Sequence, residues 1–148
     1  MRTWRWHIPL WWARLSLLAY CLVIFFVSSR SRPEEELGLP TGPVMHFIEY
    51  AGLGVLAWVN MSHRRRRRPC SRPVSGFGSI FGWRRRAWKA LAFSAFYGMT
   101  DEIHQAFVPM RSCELADWLV DVVGALAGIV AMEWLVGTRR LRIGISAD

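Results

Sequence analysis

Residues 8–29 read IPLWWARLSLLAYCLVIFFVSS. A helix rises about 1.5 Å per residue, so a hydrocarbon core of roughly 30 Å takes ~20 mostly apolar residues to cross. This stretch is long enough and carries one charge, Arg14. Arg14 lies within about two turns of the start, where a long side chain reaches the headgroups. Trp11 and Trp12 stand where an interfacial aromatic belt belongs. The basic start followed by an apolar run also has the outline of a secretory signal, but no A-x-A site follows and the run is long for such a signal, so it reads as a retained span. Working outward, residues 43–62 (PVMHFIEYAGLGVLAWVNMS) open on Pro43, suited to a first helical turn, and carry His46 and Glu49. Residues 87–107 and 116–136 are the other two candidate spans. Their uncharged centres, 90–100 and 122–132, are too short to cross alone, so each must take charged side chains into the bilayer near one end.

The composition fits. Fifty-three per cent of the 148 residues are apolar, 14% are aromatic and nine are Trp, which excludes a disordered chain, a disulfide scaffold and a heptad coiled coil. The 19 Lys and Arg against 11 Asp and Glu leave +8, and the excess falls in blocks at 64–68 and 84–86. Lys and Arg in short flanks stay on the cytoplasmic side. The amino terminus has Arg2, Arg5 and Arg14, the link between the second and third spans has ten basic residues between 64 and 89, and the tail has Arg139, Arg140 and Arg142. The other two links have Arg30 and Arg32, then Arg111 alone. The prediction is an all-α, integral membrane four-helix bundle with both termini cytoplasmic. Its membrane domain covers 8–137, a basic cytoplasmic linker covers 63–86 and a cytoplasmic tail covers 138–148. The arginine runs read as anchors to anionic inner-leaflet lipid, with no nucleic acid as partner. Cys21, Cys70 and Cys113 would lie in a span, in the cytoplasm and outside, so they cannot pair with one another.

This orientation gathers the polar residues of the spans at one level, the outer leaflet. His46, Glu49 and Tyr50 are spaced i, i+3, i+4; Glu102 and Gln105 i, i+3; Asp117, Asp121, Gly124 and Gly128 in steps of four, three and four. Each set forms one helix stripe. Gly124 and Gly128 make a small-xxx-small packing face, which points the acids above them at other helices. The turn 107–116, with Pro109 and Arg111, folds back over the carboxylates. Plain structural roles compete with function: Asp117 as a helix cap, His46 with Glu49 as a satisfied pair, and Asp101, His104 and Glu114 facing solvent or headgroups.

Imidazole, carboxylates and a guanidinium in a partly dry pocket suit three kinds of chemistry. His46, Glu49, Glu102 and Asp121 are candidate ligands for a divalent cation. A buried carboxylate beside another acid suits general acid or base work, with Arg111 holding a phosphate. The same groups also suit recognition of an anionic or polyol headgroup without reaction. No G-x-S-x-G, Walker loop or H-E-x-x-H occurs, and no cofactor is named by the sequence.

The ordered set His46-Phe47-Ile48-Glu49-Tyr50, Asp101-Glu102-Ile103-His104-Gln105, Pro109-x-Arg111, Asp117 and Gly124-x-x-x-Gly128 resembles the VanZ-like family of small bacterial membrane proteins, and does so from Ser28-Ser29 to about Gly128. The resemblance implies a multi-pass protein of the bacterial cell membrane, with relatives linked to resistance to glycopeptide antibiotics such as teicoplanin. By that pattern the functional positions are His46, Tyr50, Glu102, Gln105, Arg111 and Asp117. Two departures stand out. Gly42-Pro43 replaces an Asp-Lys pair that is usual shortly before the His, and Asp121 replaces an Asn that is usual four residues after the Asp. The expected function is an outer-leaflet polar pocket, built from these residues with Glu49 and Asp121, that engages membrane lipids or a lipid-linked cell-wall precursor and affects glycopeptide susceptibility. The alternative is an intramembrane enzyme, with or without a metal, that modifies a lipid-linked headgroup.

Overall fold

The computed structural model describes residues 5–31, 42–62, 76–137 and 142–146. Among these residues there are four helices, α1 Leu10–Ser28, α2 Gly42–Met61, α3 Gly76–Gln105 and α4 Leu115–Gly137. Three of them, α1, α2 and the segment Leu115–Val136 of α4, are long and apolar enough to cross a membrane. α3 is the exception, because its basic first half and acidic end dilute an apolar centre. Large apolar side chains stand exposed on every helix, among them Leu18, Phe26, Ile48, Phe96 and Val130. A belt of this kind is at home against acyl chains and costly against water.

Contacts at the two ends fix how the helices run. Asn60, at the end of α2, donates to the Ala13 carbonyl near the start of α1 at 2.8 Å, while Ser28, at the end of α1, donates to Asp101 late in α3 at 2.7 Å. Trp58 of α2 donates through its indole N–H to Glu133, a buried acid near the end of α4. The chain therefore runs up, down, up, down, with α2 and α4 parallel to one another.

Two expectations are corrected. The stretch 63–86, expected as linker, is helical from Gly76 onward. Its Gly and Ser residues only weaken helix propensity, and Pro73, the last proline before α3, lies ahead of the helix start. The rest of that linker, with Cys70, lies outside the described residues. The second correction concerns the ends. Residues 8 and 9, expected in the first span, and part of the tail instead form two short strands, β1 Arg5–Pro9 and β2 Arg142–Ser146, paired in parallel with Arg5 opposite Arg142 and Pro9 opposite Ser146. Pro9 is extended at φ −57° and ψ 142° and marks the start of α1. The pairing holds the segment before α1 and the segment after α4 together at one end of the bundle.

The core is closest between α2 and α4. A Cβ on Gly124 would lie 2.5 Å from the Phe47 carbonyl oxygen, one on Gly128 would strike the Ala51 carbonyl oxygen, and one on Gly54 would strike that of Ala125. Backbone meets backbone at all three points. Ala57, Trp58, Ala90, Ile129 and Met132 fill the space toward the chain ends, and Ile24, Tyr50, Leu53 and Ala125 fill the space toward the other end.

Candidate functional site

At the end of the bundle away from the termini, the first turns of α2 and α4 face the last turns of α3. His46 and Tyr50 share a helix face at i, i+4 and are both buried. On α3 the inward stripe runs Ala90, Ser94, Gly98, Asp101 with Glu102, and Gln105, all buried. Gly98 makes the space: a Cβ there would sit 3.0 Å from Asp121 Oδ2 and 3.1 Å from Tyr50 Cε1. Asp121, with no exposed surface, reaches across from α4 to His46, Oδ1 to Nδ1, at 2.9 Å.

A second chain of polar contacts runs beside this pair. Ser28 of α1 donates to Asp101 Oδ1 at 2.7 Å, and Gln105 Nε2 donates to Asp101 Oδ2 at 3.2 Å. Gln105 Oε1 in turn accepts two bonds from Arg111, 2.8 Å from one terminal nitrogen and 3.2 Å from Nε. The turn that returns Arg111 is built by Pro109 and Met110. The Arg111 N–H donates to the Val108 carbonyl at 3.2 Å, Pro109 presets the second turn position, and Met110 takes φ 64° at the third, as in a type II turn. The backbone N–H of Glu114 then donates to Glu102 Oε2 at 2.9 Å. Loop and helix end are thus stapled together by the site's own residues.

Glu102 Oε1, Asp121 Oδ2 and the Tyr50 hydroxyl are buried without a hydrogen-bond partner. His46, Glu102 and Asp121 each bring one ligand atom within 4.8 Å of the others. Above them lies an open cavity of about 180 Å³, lined by His46, Gln105, Arg111, Glu114 and Asp117 with Ser31, which follows the end of α1. His46 belongs to both levels, since it lines the cavity and bonds the buried Asp121.

The eight residues singled out by the sequence fall into three groups. His46, Tyr50, Glu102 and Asp121 lie at the buried level; Gln105, Arg111 and Asp117 join His46 at the cavity. Glu49 stands apart, half-buried, its backbone carbonyl receiving the Tyr20 hydroxyl at 3.1 Å and its carboxylate outside the trio. His46 pairs with Asp121, so the alternative of a His46–Glu49 pair does not hold. Arg111 hydrogen-bonds Gln105 rather than closing on a carboxylate. Asp101, set aside as a residue facing solvent or headgroups, is buried and joins α1 to α3. The signal for it was available, because Gly98, Asp101 and Gln105 share the helical spacing of Glu102's stripe. His104 contacts Ser29 at 2.9 Å and packs its ring on Phe25.

Helices rich in exposed apolar side chains, closed at one end by a buried imidazole–carboxylate cluster, define a helical membrane protein with a single polar end site among its described residues. The chain belongs to the VanZ/LLP1 family, whose model matches residues 8–136, from just before α1 to the last turn of α4. No curated protein and no solved structure matches it.

Proposed function

We propose that the protein crosses the bacterial cell membrane four times with both termini in the cytoplasm, and that its cavity receives the phosphate-bearing headgroup of an envelope lipid or lipid-linked wall precursor. The observation that carries this reading is Arg111, fixed by two hydrogen bonds to Gln105 at the rim of an open cavity. A guanidinium held in this way presents its remaining N–H groups as a fork matched to phosphate oxygens. The turn around it exposes Phe107, Met110 and Leu115, apolar groups suited to the acyl boundary beside a bound headgroup. In the cell, such binding would alter the supply or display of wall precursor, and so the response to glycopeptide antibiotics.

Purified full-length protein in nanodiscs is expected to bind a labelled phosphate-bearing precursor lipid saturably. Arg111→Ala should weaken binding roughly tenfold or more, since a hydrogen bond to a charged group contributes about 1.5–3 kcal/mol. No binding, or binding indifferent to Arg111→Ala, would overturn the reading. The buried His46–Asp121 pair beside Glu102 favours a second reading, an intramembrane enzyme acting on the same headgroup. Conversion of the labelled lipid to a new product, lost in Glu102→Gln and His46→Ala, would select it over simple binding.

The orientation has its own check. Cys113 is free and exposed in the turn between α3 and α4. An impermeant thiol reagent added to intact cells should label Cys113 and spare Cys70, and the reverse pattern would invert the bundle.

A further inference from the structure

We propose that His46, Glu102 and Asp121 bind a divalent first-row transition ion beneath the headgroup cavity. The case begins with oxygens that have no partner. Each carboxylate is held by one oxygen, Glu102 Oε2 by the Glu114 N–H and Asp121 Oδ1 by His46, while Glu102 Oε1 and Asp121 Oδ2 are buried and unbonded. Buried polar atoms are nearly always satisfied, and Glu102, oriented through Oε2 by a backbone N–H with Oε1 left open, has the arrangement that outer-sphere contacts impose on a metal ligand. The Tyr50 hydroxyl is a third buried, unpartnered group. Its ring edge and Asp121 Oδ2 both lie against Gly98, which puts the hydroxyl end of the ring at the same small space.

The dimensions agree. Ligand atoms roughly 2.0–2.2 Å from a common ion lie about 3 Å apart when adjacent and up to ~4.4 Å apart when opposite. One ligand atom from each of the three lies within 4.8 Å of the other two. Contraction by a few tenths of an ångström closes the set on one ion. Charge decides in the same direction. Two ionised carboxylates in a dry site are costly, whereas a dipositive ion with a neutral imidazole and two carboxylates sums to zero. Arg111, at the adjoining cavity, hydrogen-bonds Gln105 rather than either carboxylate. One imidazole nitrogen among few oxygens suits zinc or manganese, not calcium, which takes six to eight oxygens.

The test uses the full chain in detergent, stripped with a chelator, desalted and titrated with Zn²⁺ alone, with Ca²⁺ in a parallel arm. One equivalent of Zn²⁺ should bind. Asp121→Asn and Glu102→Gln should each weaken binding at least ~100-fold and Tyr50→Phe roughly tenfold, in line with losses seen for outer-sphere groups. Glu133→Gln, an acid removed from the opposite end of the bundle, should change nothing. Failure of the unmodified protein to bind an equivalent of Zn²⁺, preference for Ca²⁺, or full affinity in both carboxylate variants would each overturn the proposal. No lipid enters this titration, so it stands or falls separately from the lipid test on Arg111.

Discussion

Gly128→Leu removes the folded bundle. A Cβ at this position would meet the Ala51 carbonyl oxygen, which belongs to the backbone of α2 and cannot rotate aside. Gly124 and Gly54 meet α2 and α4 backbone in the same way, so a leucine at any of the three drives the helices apart along their shared length. Between membrane helices the attraction comes largely from close van der Waals contact, and separation forfeits it along with the His46–Asp121 and Trp58–Glu133 bonds that cross the same interface. Overpacking of a close core costs about 1–3 kcal/mol and occasionally more. The upper figure applies here, roughly a hundredfold in the folding equilibrium. The monodisperse peak in fluorescence-detected size exclusion should vanish for Gly128→Leu and Gly124→Leu. Gly42→Ala, with nothing within 4 Å, should match the unmodified protein. Gly52→Ala falls between them, because it meets only the Tyr20 side chain, hydroxyl and ring end, which can swing away at the cost of its bond to the Glu49 carbonyl. Unchanged melting of Gly128→Leu would mean that α2 and α4 are not in contact.

The parts of the fold that depend on length and hydropathy are readable from residues alone. Residues 43–62 and α2, Gly42–Met61, differ by one residue at each end, because Pro43 marks the start and the bilayer sets the length. The Gly124–Gly128 spacing identifies a packing face, but not its partner, since helix pairing depends on contacts far apart in sequence. The start of α3 was misread for a related reason. Gly and Ser lower helix propensity by less than ~1 kcal/mol each, too little to prevent extension of a long helix already anchored in a bundle. The terminal strands give no signal that could be separated from a span, as Ile8 and Pro9 continue directly into apolar sequence. In the site, stripe arithmetic within one helix found His46, Tyr50, Glu102, Gln105 and Asp121. Spacing alone places Asp101 on the inward stripe with Gly98 and Gln105, but not its partner, since Ser28 sits on another helix and a small hydroxyl at the end of a span looks like ordinary interfacial sequence.

Asp121→Leu should lower the melting temperature of the purified protein sharply, while Asp121→Asn leaves it within a few degrees of the unmodified protein. The asparagine keeps an oxygen where His46 Nδ1 can donate and has nearly the same shape, so the gap beside Gly98 stays filled. Leucine removes the acceptor and leaves the buried His46 Nδ1 without its partner. Hydrogen bonds between membrane helices contribute on average only about 0.6 kcal/mol, which would make this a mild change. That average, however, reflects pairs whose loss frees groups able to find other partners. Here Gly98, Tyr50 and the α2–α4 contact leave His46 little room to turn, so the relevant magnitude is that of one newly orphaned buried polar group, about 1–3 kcal/mol. The comparison also separates geometry from charge. The asparagine variant retains the geometry and loses the anion, so it should fold normally and fail to hold Zn²⁺, whereas the leucine variant loses both. Equal melting of the two variants would mean that His46 finds another partner when Asp121 is gone, and the pair would then hold neither helix in place.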